Sequence, residues 1–85
     1  SLNEVDKELT FSMYPNPSSS TVTVVFETAS EKHIQLVDFS GRILVDESTQ
    51  EKVFTIEGEL FHNGMYILNV QENKGKLGSR LLILN

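Results

Sequence analysis

Short apolar runs of alternating character follow one another along most of the chain. From residue 8 onward they are punctuated by Pro, Gly, Asn and Ser at intervals of roughly 8–12 residues, the spacing of a β-sandwich or barrel. The clearest run is Thr21-Val22-Thr23-Val24-Val25-Phe26-Glu27, in which Val22, Val24 and Phe26 alternate with Thr21, Thr23 and Glu27. A period of two places the three apolar side chains on one face of a strand and mostly polar ones on the other. The same parity selects Ile34 and Leu36, Ile43 and Val45, Phe54 and Ile56, and Tyr66, Leu68 and Val70 as core. The pattern predicts seven strands, over residues 8–13, 21–27, 33–39, 42–47, 52–57, 65–72 and 77–84. Leu81, Leu82, Ile83 and Leu84 fill both parities of the last, as in a strand covered on both faces. A helical reading fails, because the runs are rich in Val, Ile, Thr, Phe and Tyr and none reaches the ~10–12 residues a helix needs.

The punctuation defines the connections. Asp38-Phe39-Ser40-Gly41 offers an Asp that can accept from backbone amides two residues on and a Gly able to take positive φ. It predicts a type I turn with a bulge joining strands three and four. Asn63-Gly64 precedes the sixth strand, and Asn73-Lys74-Gly75-Lys76 joins it to the seventh. Leu60, then a turn, then Tyr66 at the start of the penultimate strand matches the tyrosine corner of immunoglobulin-like sandwiches, in which the phenol bonds upstream backbone. The predicted fold is an all-β, seven-stranded, antiparallel immunoglobulin-like sandwich.

Residues 1–7 are mostly polar and lack a period, as expected of the end of a linker from an upstream domain, with residues 8–85 forming the domain itself. Eighty-five residues support one core, and a chain of this size buries only ~60–65% of its unfolded surface. The chain starts with neither a basic-then-apolar leader nor an apolar stretch near the ~20 residues that span a bilayer, so any export signal is expected upstream.

The charge is uneven. Seven Lys and Arg against twelve Asp and Glu give −5. Residues 73–85 hold Lys74, Lys76, Arg80 and no acid, so they carry +3 and the preceding 72 residues carry −8. An acidic body argues against nucleic-acid binding, which needs a basic patch. The basic, apolar tail points to a separate task for the C-terminal strand, beside the plainer role of an edge protected by positive charge.

Little in the sequence carries catalysis. There is no cysteine for a thiolate, disulfide or zinc site. His33 and His62 do not form a ligand pair at metal spacing. Ser18, Ser19, Ser20 and Ser40 could be set beside Asp38 and His62 on paper, but no nucleophile-elbow motif supports a triad. Asp38, Asp46, Glu47 and Glu51 lack the alternation of a dedicated calcium loop, so no metal, cofactor or small-molecule substrate is expected.

Tyr14-Pro15-Asn16-Pro17 after the first strand, Val22-Thr23-Val24-Val25-Phe26, Ile34-Gln35-Leu36-Val37-Asp38-Phe39-Ser40-Gly41, Leu60 with Gly64 and Tyr66, and a final Arg80-Leu81-Leu82-Ile83-Leu84-Asn85 stand in a telling order. From about residue 8 to the last residue, the chain resembles the C-terminal sorting domains of type IX secretion, also called the Por secretion system. The resemblance implies a non-catalytic address on an upstream passenger protein, exported through the periplasm to the cell surface or medium. It implies an outer-membrane translocon as partner, and in many members a sortase-like peptidase that removes the domain and attaches the passenger to surface lipopolysaccharide. Lys76, Arg80, Leu81, Leu82, Ile83 and Leu84 are the expected recognition residues, by addition of a partner strand to a terminal edge. Tyr14, Pro15, Asn16, Pro17, Asp38, Gly41, Leu60, Gly64 and Tyr66 are expected to be structural, with the two prolines carrying the chain between sheets outside any ladder. The competing expectation is an adhesion or carbohydrate-binding module of an extracellular enzyme.

Overall fold

A computed structural model describes residues 9–17, 19–73 and 75–85. The expected linker at 1–7 therefore lies outside the described residues, as do residue 8, Ser18 and Lys74. Seven strands follow in chain order: β1 (Phe11–Tyr14), β2 (Thr21–Phe26), β3 (Lys32–Asp38), β4 (Ile43–Thr49), β5 (Val53–Glu57), β6 (Gly64–Glu72) and β7 (Leu77–Leu84). A 3-10 turn, Gly58–Leu60, leads out of β5. The first strand starts later than the pattern predicts; Leu9 and Thr10 precede it, and Leu9 instead donates its amide to the Leu77 carbonyl (2.9 Å).

The strands form two antiparallel sheets, β1-β2-β5 and β4-β3-β6-β7, packed face to face. The chain crosses between them after β2, β4 and β5. The core is filled by alternate residues: Phe11 and Met13, Val22, Val24 and Phe26, and Ile56 from one sheet, and Ile34, Leu36, Tyr66, Leu68, Val70, Leu82 and Leu84 from the other. Register makes this coherent, since Leu36 lies opposite Leu68 on one side and Val45 on the other. Phe54 and Val45 pack against this core while staying partly exposed.

Ile43 departs from the parity expectation. It is 49% exposed. Between Leu36↔Val45 and Val37↔Ile43 the register slips, so two residues of β4 span one step of β3 and Leu44 is left over. The extra residue reverses the alternation, sending Ile43 to the outer face opposite Val37 while Val45 stays inside. The turn beside it matches expectation: Gly41 donates to the Asp38 carbonyl (3.0 Å) with φ 93°, a conformation Gly adopts without steric cost.

The Asp38 carboxylate organises that turn. Oδ1 accepts from the Ser40 amide (2.9 Å), the Ser40 hydroxyl (2.7 Å) and the Arg42 amide (2.9 Å). These bonds, the Ser40 hydroxyl foremost, hold its pKa at about 2. Glu72 is also held below its ordinary value, chiefly by the Ser30 hydroxyl at 2.6 Å. Both are depressed in the folded state, so their stabilisation is whole above the ordinary carboxylate range and is lost as pH falls through the folded values. The urea midpoint is therefore expected to fall between about pH 5 and pH 2. Asp38→Asn should flatten part of that fall; an equally steep fall in the variant would deny Asp38 its share.

One core position is occupied by a cation. Lys32 shares the inner face with Ile34 and Leu36 and is 1% exposed. Its ammonium donates to the Ser30 carbonyl (2.6 Å) and lies 4.7 Å from the centre of the Phe26 ring. Burial lowers its pKa, with Glu72, Glu31 and Glu51 opposing that shift. The charge thus closes one end of the apolar core, with a carbonyl and an aromatic face as partners.

Candidate functional site

The C-terminal strand is an edge of the four-stranded sheet, and its residues divide by parity into two kinds. Leu82 and Leu84 point into the core, 0% and 3% exposed. Leu81, 43% exposed, and the half-buried Ile83 lie on the outer face opposite Ile67 and Met65. The expectation of a strand covered on both faces is therefore corrected: one face is core and, among the described residues, no layer lies over the other. Arg80 has inner parity but sits beyond the rim of the core, exposed, with Nη1 donating to the Phe11 carbonyl at 3.3 Å. Lys76 is exposed in the turn before β7, where its carbonyl accepts from the Glu72 amide (2.7 Å). Of the six residues nominated for recognition, Lys76, Arg80, Leu81 and Ile83 present surface and two are structural.

The free edge of β7 is not bare. Residues 9–16 run beside it in the same direction, bonding at Leu77 through the Leu9 amide, at Arg80 through the Phe11 carbonyl and at its far end through Asn16. Asn16 Nδ2 donates to the Leu81 carbonyl (2.8 Å), and the Ile83 amide donates to Asn16 Oδ1 (3.0 Å). The edge that the sequence leaves free for a partner is thus held at several points. Gly78 permits the approach, since a Cβ there would run into the Leu9 carbonyl and come within 3.2 Å of the Phe11 ring.

The two prolines lie outside the ladders as expected, but the Tyr-Pro-Asn-Pro segment does not carry the chain between sheets: it joins β1 to β2, neighbours in one sheet. Tyr14 is the last residue of β1, and Pro15, Asn16 and Pro17 lie outside the strands while Asn16 reaches across to the other sheet. Both X–Pro bonds, 14–15 and 16–17, are cis. The phenol bond expected of Tyr66 is made: the buried Tyr66 donates its hydroxyl to the His62 carbonyl at 2.5 Å, with Gly64 at positive φ between them. Leu60 does not pack there. It is 77% exposed, and Phe61 packs instead, its ring 6.3 Å from that of Tyr66.

Register also brings together apolar side chains that parity alone separates. Ile43, Val37, Ile67 and Leu81 form one row across the outer face, with Met65 and Ile83 beside it. Leu77 lies apart from this row on the same face, and the positions between are polar, with Gln35 opposite Asn69 and Ser79 donating to Asn69 Oδ1 (2.6 Å). His33 pairs with Asp46, and a shallow cavity of about 250 Å³ lies along His33, Gln35, Asn69 and Gln71. Among the described residues, no three His, Asp or Glu side chains are grouped to hold a metal ion.

Comparison with known families decides what such a domain is. Residues 12–84 match the model of the secretion system C-terminal sorting domain, also described as the Por secretion tail. The chain belongs to this family. The sorting domain is also 30% identical over 74 residues to the ulvan lyase NLR42 of Nonlabens ulvanivorans. That similarity covers 86% of this chain and 14% of the lyase, so the sorting domain corresponds to a small part of its relative. As a sorting tail of type IX secretion it is non-catalytic and marks export to the cell surface or the extracellular space.

Proposed function

We propose that this sorting domain delivers an upstream passenger protein to an outer-membrane translocon, and that the translocon reads β7. The observation that carries the reading is the division of β7: two apolar residues anchor it in the core while Arg80, Leu81 and Ile83 on the same strand, with Lys76 in the turn before it, present charge and apolar surface. A core-anchored strand presents its outward side chains at fixed spacing, which a partner needs in order to read them. Removal of the domain by a sortase-like peptidase belongs to the same proposal, with the cut placed in or before residues 1–7.

The test is to fuse residues 1–85 to a reporter exported to the periplasm of a host with type IX secretion. The fusion is expected to reach the surface or medium. Deleting the final residues would also remove Leu82 and Leu84 from the core, so the informative variant is Lys76→Glu with Arg80→Glu, which alters exposed charge and spares the core. Its reporter is expected to remain in the periplasm. Export of the charge-reversed fusion at the parental level would remove Lys76 and Arg80 from recognition, and retention of the parental fusion would overturn the sorting role for this chain.

A further inference from the structure

The bonds made by Asn16 have a specific form. In an antiparallel ladder two opposed residues exchange both of their bonds, whereas a parallel neighbour divides its N–H and C=O between the residues flanking its opposite number. Asn16 makes the second pattern around Leu82, giving Nδ2–H to the Leu81 carbonyl and taking the Ile83 amide on Oδ1. A side-chain carboxamide here occupies the place of one residue of a parallel strand. The direction agrees, since Leu9, Phe11 and Asn16 meet β7 in ascending order. Pro15 and Pro17 flank Asn16 and have no N–H with which to lengthen such a ladder. The contact can therefore cover the edge at one point without becoming a strand.

We propose that Asn16 is a latch: the Leu81–Leu84 end of the outer edge of β7 is an addition site for an extended, acidic partner strand, closed until residues 14–17 move aside. The proposal rests on the reading that β7 is the strand a partner recognises, and adds how access to it is governed. The chemistry of the occupant follows from the edge. Arg80 is exposed beside it and Lys76 in the turn before the strand, no carboxylate side chain occurs in the sequence after Glu72, and Leu81 and Ile83 offer apolar surface on the outer face. A strand alternating carboxylates with β-branched residues would complement both. A row of backbone groups on an edge strand also invites pairing with other chains, so covering it by a short, exposed, reversible contact keeps the site closed until it is needed.

The probe is a synthetic heptapeptide alternating Val and Glu, beside one with Lys in place of Glu, titrated against the 85-residue chain and its Asn16→Ala and Asn16→Ser variants. Asn16 is exposed, so both variants should keep the parental circular dichroism. The Glu peptide is expected to bind each variant at least tenfold more tightly than the parent, and the Lys peptide to bind none of them. Amide exchange at Ile83 should accelerate at least tenfold in the variants while that of Leu68, in the middle of the sheet, stays put. Equal affinity of the Glu peptide for parent and variants, or acceleration at Leu68 equal to that at Ile83, would overturn the latch. Equal binding of the two peptides would overturn the acidic partner. These outcomes are independent of export: a charge-reversed tail that is still secreted would remove Lys76 and Arg80 from recognition and leave the latch standing.

Discussion

Replacing Leu36 with alanine is expected to lower the unfolding free energy by about 2–5 kcal/mol. Leu36 is fully buried on β3, the inner strand between β4 and β6, and faces the other sheet between Ile34 and the bulge. Neighbours on two sides are fixed by ladders, so the site cannot collapse to fill the space left by the side chain. A domain of this size has a total stability of roughly 4–13 kcal/mol, so the loss would consume a large part of it. Each kcal/mol corresponds to about 4–8 °C in melting temperature at this length. The matched control is Ile43→Ala, which parity alone places in the same core and the bulge places outside. It should cost less than about 0.5 kcal/mol, and a loss comparable to that of Leu36→Ala would mean that the bulge is misplaced.

Gly78→Ala is expected to cost about 1–3 kcal/mol although it adds a single carbon at the rim of the molecule. The new Cβ would meet the Leu9 carbonyl, a backbone atom that cannot rotate away, and would crowd the Phe11 ring. Relief requires residues 9–11 to lift off β7, breaking the Leu9–Leu77 hydrogen bond and loosening a core aromatic. The effect should be visible as faster amide exchange at Leu9 alongside the lower melting temperature. Leu77→Ala next door removes an exposed side chain and should stay within about 0.5 kcal/mol of the parent. An unperturbed Gly78→Ala protein would show that the first strand is not held against β7 as described.

Alternation made the sandwich legible because each strand has one wet face and one dry face, and β2 reports this without ambiguity. The turn at Asp38 and the phenol bond of Tyr66 were legible because each depends on chemistry confined to a few consecutive residues. What the sequence concealed depends on neighbours. The slip at Leu36 and Val37 is a property of a pair of strands, so no parity count along β4 finds it. Leu81 and Ile83 look as buried as Leu82 and Leu84 until the sheet order shows β7 at an edge with none of the described residues layered over its outer side. Lys32 was missed although its parity with Ile34 and Leu36 points inward, because a cation enters a core only when carbonyls and a ring are waiting for it. Val37 and Ile67 did leave a trace: each interrupts the polar side of its strand, and together with Ile43 and Leu81 they make the outer apolar row. The bonding role of Asn16 joins residues 65 apart in the chain and could not be read from the Tyr-Pro-Asn-Pro motif by itself.

The direction of β7 sets a distance. The first described residue lies beside Leu77, at the start of the strand, whereas Leu84 closes it seven residues on, in a molecule 41 Å along its longest axis. At about 3.3 Å per residue, the two ends of β7 are separated by roughly 23 Å. On the reading proposed above, a passenger attached upstream enters beside Leu77, close to Lys76, and the Leu81 and Ile83 surface lies at the opposite end of the strand.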